Sequence, residues 1–197
     1  MPPLQQKIPG LREWEPICWL EIQSECCYTK QKAGGSGHEY RVPFVETRQV
    51  TTARDMFEAV REALPETDIL IKAAAVADYR PAQVAEDKIK KKDGDMSIPL
   101  ERTDDILGWV AENRHPGLFV CGFSMETKDM VENSVSKLQR KKLDMIAANN
   151  LKLGGAGFGV ETNVITIITR EGITELPLMG KDQAAAALLD AIEQKRS

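Results

Sequence analysis

The sequence predicts an α/β fold: a Rossmann-like, mostly parallel sheet with helices on both faces, closed by a C-terminal β-hairpin and helix. Three observations carry this reading. From Val50 onward, short apolar runs alternate with segments of helical period. The runs DILIKAA, LFVCGF and LDMIAA are almost continuously apolar, as strands covered on both faces are. The tail changes to a β-rich NVITIIT and a Glu171-Gly172 turn signal, which reads as a hairpin. At 197 residues the chain is long enough for one such domain with a sizeable core.

Taken in order, Thr52 to Ala63 has the helical period, with Met56, Phe57, Val60 and Leu64 on one face and Thr51 or Thr52 as its cap. Asp68 to Ala74 is a short strand. Asp104 to Asn113 is a second helix, turning Ile106, Leu107 and Val110 inward, and Leu118 to Phe123 is a second strand. A long helix spans Thr127 to Lys142, with Met130, Val131, Val135 and Leu138 as its apolar stripe. Leu143 to Ala148 is a third strand. Asn163 to Thr169 and Ile173 to Leu178 form the hairpin, and Lys181 to Lys195 is an amphipathic helix burying Leu188, Leu189 and Ile192. Two stretches, Tyr79 to Asp95 and Leu151 to Gly159, read as long loops, which in a compact domain are functional or mobile.

Apolar content of 42% and charged content of 28% are ordinary for a soluble protein, and the formal charge of −4 gives no reason to expect nucleic acid or an anionic membrane as partner. Basic residues nevertheless cluster: Lys88, Lys90, Lys91 and Lys92 in one patch, Lys137, Arg140, Lys141 and Lys142 in another. Two local patches on a mildly acidic chain suit a small polyanion, although solvated surface lysines account for them equally well. The cysteines, Cys18, Cys26, Cys27 and Cys121, form no CxxC pair. With two histidines far apart, a zinc site is not expected. No apolar segment approaches the roughly 20 residues of a membrane span, no signal peptide opens the chain, and a reducing cytoplasm is the simplest compartment.

Four constellations bear chemistry. AAAVADYRP (Ala73 to Pro81) ends a strand in small residues that let a ligand approach the backbone, with Asp78 placed to accept from a ribose or base or to help hold a metal ion. GFSMET (Gly122 to Thr127) ends a strand and opens a helix; Gly122 permits close approach, while Glu126 and Thr127 supply capping groups. Lys137 and Lys141, spaced i, i+4, point the same way from one helix. Ala147-Ala148-Asn149-Asn150 ends a strand in amides. Each has a plain structural reading alone: a βα turn, a solvated lysine pair, an amide-rich turn. Together they gather at the carboxyl ends of strands, beside lysines and without a Ser-His-Asp, Cys-His or metal cluster. That fits positioning and charge neutralisation of a nucleotide triphosphate.

AAAVADYRP followed by KIKK, then GFSMET, the lysine-bearing helix, LDMIAANN, the Gly-Phe loop and the closing hairpin and helix resemble phosphopantothenoylcysteine synthetase (phosphopantothenate–cysteine ligase) in order and spacing. In bacteria this is commonly the C-terminal half of a bifunctional flavoprotein, so FMN belongs to a fused decarboxylase domain absent from this sequence. The resemblance implies that the carboxylate of 4′-phosphopantothenate attacks the α-phosphate of CTP, and that cysteine captures the acyl-cytidylate. It also implies Mg2+ accompanying CTP, and a homodimer. Carried over by position, Lys72, Ala73, Ala74, Asp78 and Lys88 contact CTP, as do Asp104, Asp105, Ile106 and Leu107 at a helix start, with Phe123, Lys137 and Lys141 completing the site. Lys88, Lys137 and Lys141 balance phosphate charge. The choice of CTP over ATP comes from resemblance to the bacterial branch alone.

Residues 1–42 depart from this pattern and 43–197 form the nucleotide-binding ligase domain. The family opens with a strand and a Gly-Gly-Thr turn, then an Asn-x-Ser-Ser-Gly-x-Met-Gly segment whose Asn engages the acyl-cytidylate; neither is written here. A first strand is therefore expected to be missing, leaving the sheet short of a neighbour. Across Lys7 to Glu15, codons read from each third base permit Asn-Ser-Arg-Ser-Ser-Gly-Met-Gly, the last Gly forced by Trp14-Glu15. Met1 to Val42 thus reads as a frameshifted or poorly ordered segment, and no catalytic residue can be assigned from it. Two functions follow: a CTP-dependent acid–amino-acid ligase, or a catalytically inactive nucleotide-binding and dimerisation fragment of one. A nicotinamide-dependent oxidoreductase is disfavoured, since no GxGxxG follows a first strand.

Overall fold

The computed structural model describes residues 17–20, 48–85, 87–90, 95–126, 129–150 and 162–196. Helix α1 (Ala53–Ala63) starts where Thr52 closes a capping box: its hydroxyl accepts from the Asp55 N–H at 3.1 Å, and the Asp55 carboxylate accepts from the Thr52 N–H at 2.9 Å. Met56, Phe57 and Val60 face inward, and Pro65 sits in the single 3-10 turn that leads to the next strand. In α2 (Ile106–Asn113) Asp105 is the cap, accepting from the Gly108 N–H at 2.9 Å. Helix α3 (Met130–Arg140) begins three residues after the expected start, and Lys142, with φ 50°, turns the chain after it. Thr127 lies outside the described residues. Helix α4 (Lys181–Arg196) closes the chain, with Ala184, Leu188 and Ile192 buried.

One six-stranded sheet runs in the order β1 (Ile17–Leu20), β2 (Ile69–Lys72), β5 (Phe119–Glu126), β6 (Met145–Asn150), β8 (Ile165–Thr169) and β9 (Ile173–Glu175). The first four strands are parallel and the last two pair antiparallel. Strands β3 (Tyr79–Pro81) and β4 (Leu100–Arg102) form a separate antiparallel arm, and β7 (Thr162–Asn163) pairs with β10 (Met179–Gly180). Strand parity divides the core. Leu70, Val120, Ile146 and Ile168 face α1, α2 and α3; Ile71, Cys121, Met145 and Ile167 face α4. Helices therefore cover both faces, as expected of parallel strands.

Three expectations are corrected. The sheet is not short of a strand upstream of Val50: Ile17–Leu20 pairs residue for residue with Ile69–Lys72. This apolar ICWL run satisfies the backbone of the β2 edge despite lacking a sustained period. The strand expected to stop at Phe123 runs on to Glu126, because Ser124 to Glu126 go on pairing with Ala148 to Asn150. The Tyr79 to Asp95 stretch is not wholly loop: Tyr79–Pro81 pairs with Leu100–Arg102, a partner some twenty residues away that local pattern does not reveal. The Leu151 to Gly159 loop lies outside the described residues.

At the amino-terminal ends of the central strands, Arg114 ties α2 to the sheet. Its guanidinium donates to the Lys142 carbonyl at 2.8 Å, to the Leu118 carbonyl, and to the Asp144 carboxylate at 2.7 Å. The same carboxylate oxygen accepts from the Val120 N–H at 2.8 Å.

Candidate functional site

A cavity of about 930 Å3 opens at the carboxyl ends of β2, β5 and β6, where open α/β sheets bind ligands. Its floor is the small-residue run Ala73 to Ala75, continued by Val76 and Asp78. One wall is the segment Thr103 to Leu107 at the start of α2. The facing wall is Phe123 to Met125 of β5, with Lys137, Arg140 and Lys141 of α3. Asn149, Asn163 and Lys181 line the side toward α4, and Tyr79 and Arg102 that toward the arm.

Eleven of the twelve residues expected from sequence meet here: Lys72, Ala73, Ala74, Asp78, Asp104, Asp105, Ile106, Leu107, Phe123, Lys137 and Lys141. Lys88 does not. It sits exposed in the stretch between the two strands of the arm, away from the lining. Sequence reasoning did not select Arg102, Ser124, Asn163 or Lys181 for the site. Ser124 follows Phe123 in GFSMET and was within reach of that motif. Arg102, Asn163 and Lys181 arrive through strand pairing of the arm and of β7 with β10, for which local sequence holds no signal. Gly122, read as making room for a ligand, makes room instead for the core: a Cβ there would come 2.9 Å from Leu143 Cδ1.

The cations are held in place. Lys137 Nζ donates to the Phe123 carbonyl at 2.7 Å and Lys72 Nζ to the Ala74 carbonyl at 2.9 Å. Lys141 pairs with the Asp105 carboxylate. Burial, and then the nearby charge of Lys137, depress the Lys72 ammonium below its ordinary value, against the opposing pull of Asp105 and Asp78. For Asp105, burial pushes the carboxyl up, but hydrogen bonds from Lys141 and the Gly108 N–H, with the charges of Lys141 and Arg140, bring it below the usual carboxylate range. The Asn149 Oδ1 is buried with no hydrogen-bond partner among the described residues. An amide so placed at a cavity wall is available to a ligand.

The wall Thr103 to Asp105 is pinned from three sides. Thr103 donates from its hydroxyl to the Ala77 carbonyl at 2.6 Å and from its N–H to the Asp78 carbonyl at 3.0 Å. Arg54 of α1 grips both oxygens of Asp104 at 3.1 and 3.2 Å. Lys141 takes Asp105 from the other side. Asp104 and Asp105 are therefore already paired. No group of three or more metal-ligating side chains occurs among the described residues. A divalent cation arriving with phosphates takes one or two carboxylates and water, and Asp78 fits that role.

Fold and cavity together define an α/β protein of the Rossmann-like class with a cation-rich cleft at the carboxyl edge of its parallel strands. Residues 34–195 match the family described as the DNA/pantothenate metabolism flavoprotein C-terminal domain, and the chain belongs to that family. It is 44% identical over 144 residues to the coenzyme A biosynthesis bifunctional protein CoaBC of Bacillus subtilis (strain 168), covering 73% of this chain and 35% of that protein. To CoaBC of Escherichia coli (strain K12) it is 38% identical over 153 residues, 76% of this chain and 38% of that one. The chain thus spans little more than a third of these relatives. The crystal structure of the C-terminal domain of CoaBC is similar with a TM-score of 0.60 and 36% identity, covering 75% of this chain and 64% of that one. A Cab2 H337A mutant solved with phosphopantothenate-cysteine shares the fold at 15% identity and a TM-score of 0.59, over 75% of this chain and 51% of that one.

Proposed function

We propose that this domain binds CTP in the cleft and belongs to a phosphopantothenate–cysteine ligase of coenzyme A biosynthesis. The observation that carries the reading is the meeting of Lys72, Lys137, Arg140 and Lys141 around a floor of small residues, with Asp78 beside it. The alanines admit a phosphate chain to the backbone and the ammonium groups neutralise it. Asp78 accepts from ribose or base, or holds Mg2+ accompanying the triphosphate. In the reaction a carboxylate oxygen of 4′-phosphopantothenate bonds to the α-phosphorus as the bridging P–O bond breaks and pyrophosphate leaves. The cysteine amine then attacks the acyl carbon, losing a proton, and CMP departs. Lysines fixed near the phosphates stabilise the charge that grows on pyrophosphate. Lys88 joins this site only if the arm brings it inward.

A homodimer is supported by the arm, whose neighbourhood exposes Tyr79, Val84, Ile89, Met96, Ile98 and Leu100, more apolar surface than a lone ribbon carries in water. A biosynthetic role and no described helix long and apolar enough to cross a membrane suit the cytoplasm. The second reading, an inactive nucleotide-binding fragment, is favoured by residues 1–42, which lack the Asn-x-Ser-Ser-Gly-x-Met-Gly segment in the written frame. Calorimetry with CTP tests the first claim: no heat at millimolar CTP overturns it. Pyrophosphate release with CTP, phosphopantothenate and cysteine separates ligase from fragment, and little or none is expected of this polypeptide. Sequencing the coding DNA decides the frameshift, since codons unable to yield Ser-Ser-Gly-Met-Gly in the other frame exclude it.

A further inference from the structure

We propose that Asp105 tunes the cleft's affinity for phosphate: its carboxylate occupies the Lys141 ammonium as an internal stand-in that any phosphate reaching Lys141 has to displace. The proposal rests on the polyphosphate reading of the site given above.

Asp105 uses its two oxygens differently. Oδ1 accepts from the Gly108 N–H at 2.9 Å and caps α2, while Oδ2 takes the Lys141 ammonium. The seat exists because residue 108 is glycine. A Cβ there would lie 2.5 Å from Asp105 Oδ2 and 2.8 Å from Cγ, inside the contact distance of any real side chain.

The carboxylate is anchored through its backbone neighbours, while Lys141, whose side chain is 20% exposed, is held by the pair itself. Thr103 and Asp104, the two residues before it, are fastened to the Ala77–Asp78 backbone and to Arg54. Asp105 therefore keeps its place on the cleft wall when Lys141 turns to a ligand. Lys141 carries its charge on a flexible four-carbon stem, from the residue that ends α3. When a phosphate draws the ammonium away, Asp105 keeps its cap bond and the favourable field of the helix start, so no stranded charge results. The Asp105 side chain is 59% exposed, so the pair is screened by solvent and modest in strength. Binding at this position is an exchange of one anion for another. Every phosphate that uses Lys141 meets the same displacement, and contacts to Lys137 and Lys72 add to affinity without changing it.

Asp105→Asn is the informative change, because asparagine caps a helix as well as aspartate does and removes only the charge. Calorimetry on the full chain with orthophosphate, pyrophosphate and tripolyphosphate reads the effect. Asp105→Asn is expected to bind orthophosphate and pyrophosphate about two- to fivefold more tightly, the worth of one exposed ion pair. Tripolyphosphate is expected to gain by a similar factor, because it displaces the same carboxylate. In a Lys141→Met background the same substitution is expected to gain clearly less, the remainder coming from the Asp105 charge felt by Lys72, and an undiminished gain would overturn the stand-in role. If the wild type binds these anions and Asp105→Asn binds them no more tightly, this proposal fails alone. If the wild type binds none of the three, the polyphosphate reading fails and takes this proposal with it.

Discussion

The ammonium of Lys137 lies 2.7 Å from the carbonyl oxygen of Phe123, fastening a cation of α3 to the backbone of β5 inside the cleft. Lysine is the residue such a contact requires, since it combines reach with a charge that can serve carbonyl and phosphate together. Lys137→Met keeps the stem and removes the charge. A charge-assisted hydrogen bond is worth about 1.5–3 kcal/mol, so CTP affinity is expected to fall by about ten- to a hundredfold. Calorimetry checks this, and an unchanged Kd would remove Lys137 from the site.

Lys72 makes stability depend on pH in a stated direction. Its folded-state value lies below that of the unfolded chain, so the unfolded state binds the extra proton between the two. Stability is penalised while the ammonium is charged and rises with pH through the window between the depressed value and 10.5. Lys72→Met removes the charge without the stem. It is expected to be more stable than wild type at pH 7 and to lose that advantage toward pH 10, as urea unfolding at several pH values measures. An advantage that stays constant across that range would show that burial of the ammonium is not its source.

Arg114 joins three segments through two carbonyls and the Asp144 carboxylate, which in turn accepts from the Val120 N–H. Arg114→Ala leaves those acceptors to solvent or to nothing. Both side chains are about a quarter exposed, which tempers the ion-pair contribution. Even so, loss of several charge-assisted bonds is expected to cost about 2–3 kcal/mol in urea unfolding. Lysine, lacking the planar fork, is expected to restore less than half. Full restoration by lysine would mean that charge alone matters there.

Ser134 faces the core from α3, fully buried, with no hydrogen-bond partner for its hydroxyl among the described residues. Ser134→Ala removes an unpaired polar atom and improves helix propensity, and is expected to stabilise the domain by about 1 kcal/mol. A loss of that size in thermal unfolding would reveal a partner for the hydroxyl.

Much of this was legible in the sequence because the central strands from Asp68 onward are almost continuously apolar and the helices repeat with a clear period. The capping box at Thr52 and Asp55 is local chemistry, and local chemistry is what a sequence displays. What was not legible depends on partners distant in the chain. The extension of β5 through Glu126 is stabilised by β6, not by its own residues. Ser134 is buried although serine suggests a surface, because Met130, Val135 and Leu138 on the same helix take it inward. Lys88 follows a motif that suggested the site, yet the pairing of β3 with β4 decides where the intervening chain goes. The cleft itself was half visible: residues contributed by strand ends announced themselves, while Arg102, Asn163 and Lys181 came from elements whose pairing no local run encodes.

Cys121 lies opposite Ile71 on one side and Met145 on the other, and burial pushes its thiol up to about 12. At neutral pH it therefore stays protonated and shielded, and an alkylating reagent meets it only when the central strands part. The sheet thus carries its own stopwatch. Followed peptide by peptide, the rate at which carbamidomethyl appears on Cys121 times the opening of the innermost strands, and a ligand seated on their carboxyl edge would be heard as a slower tick.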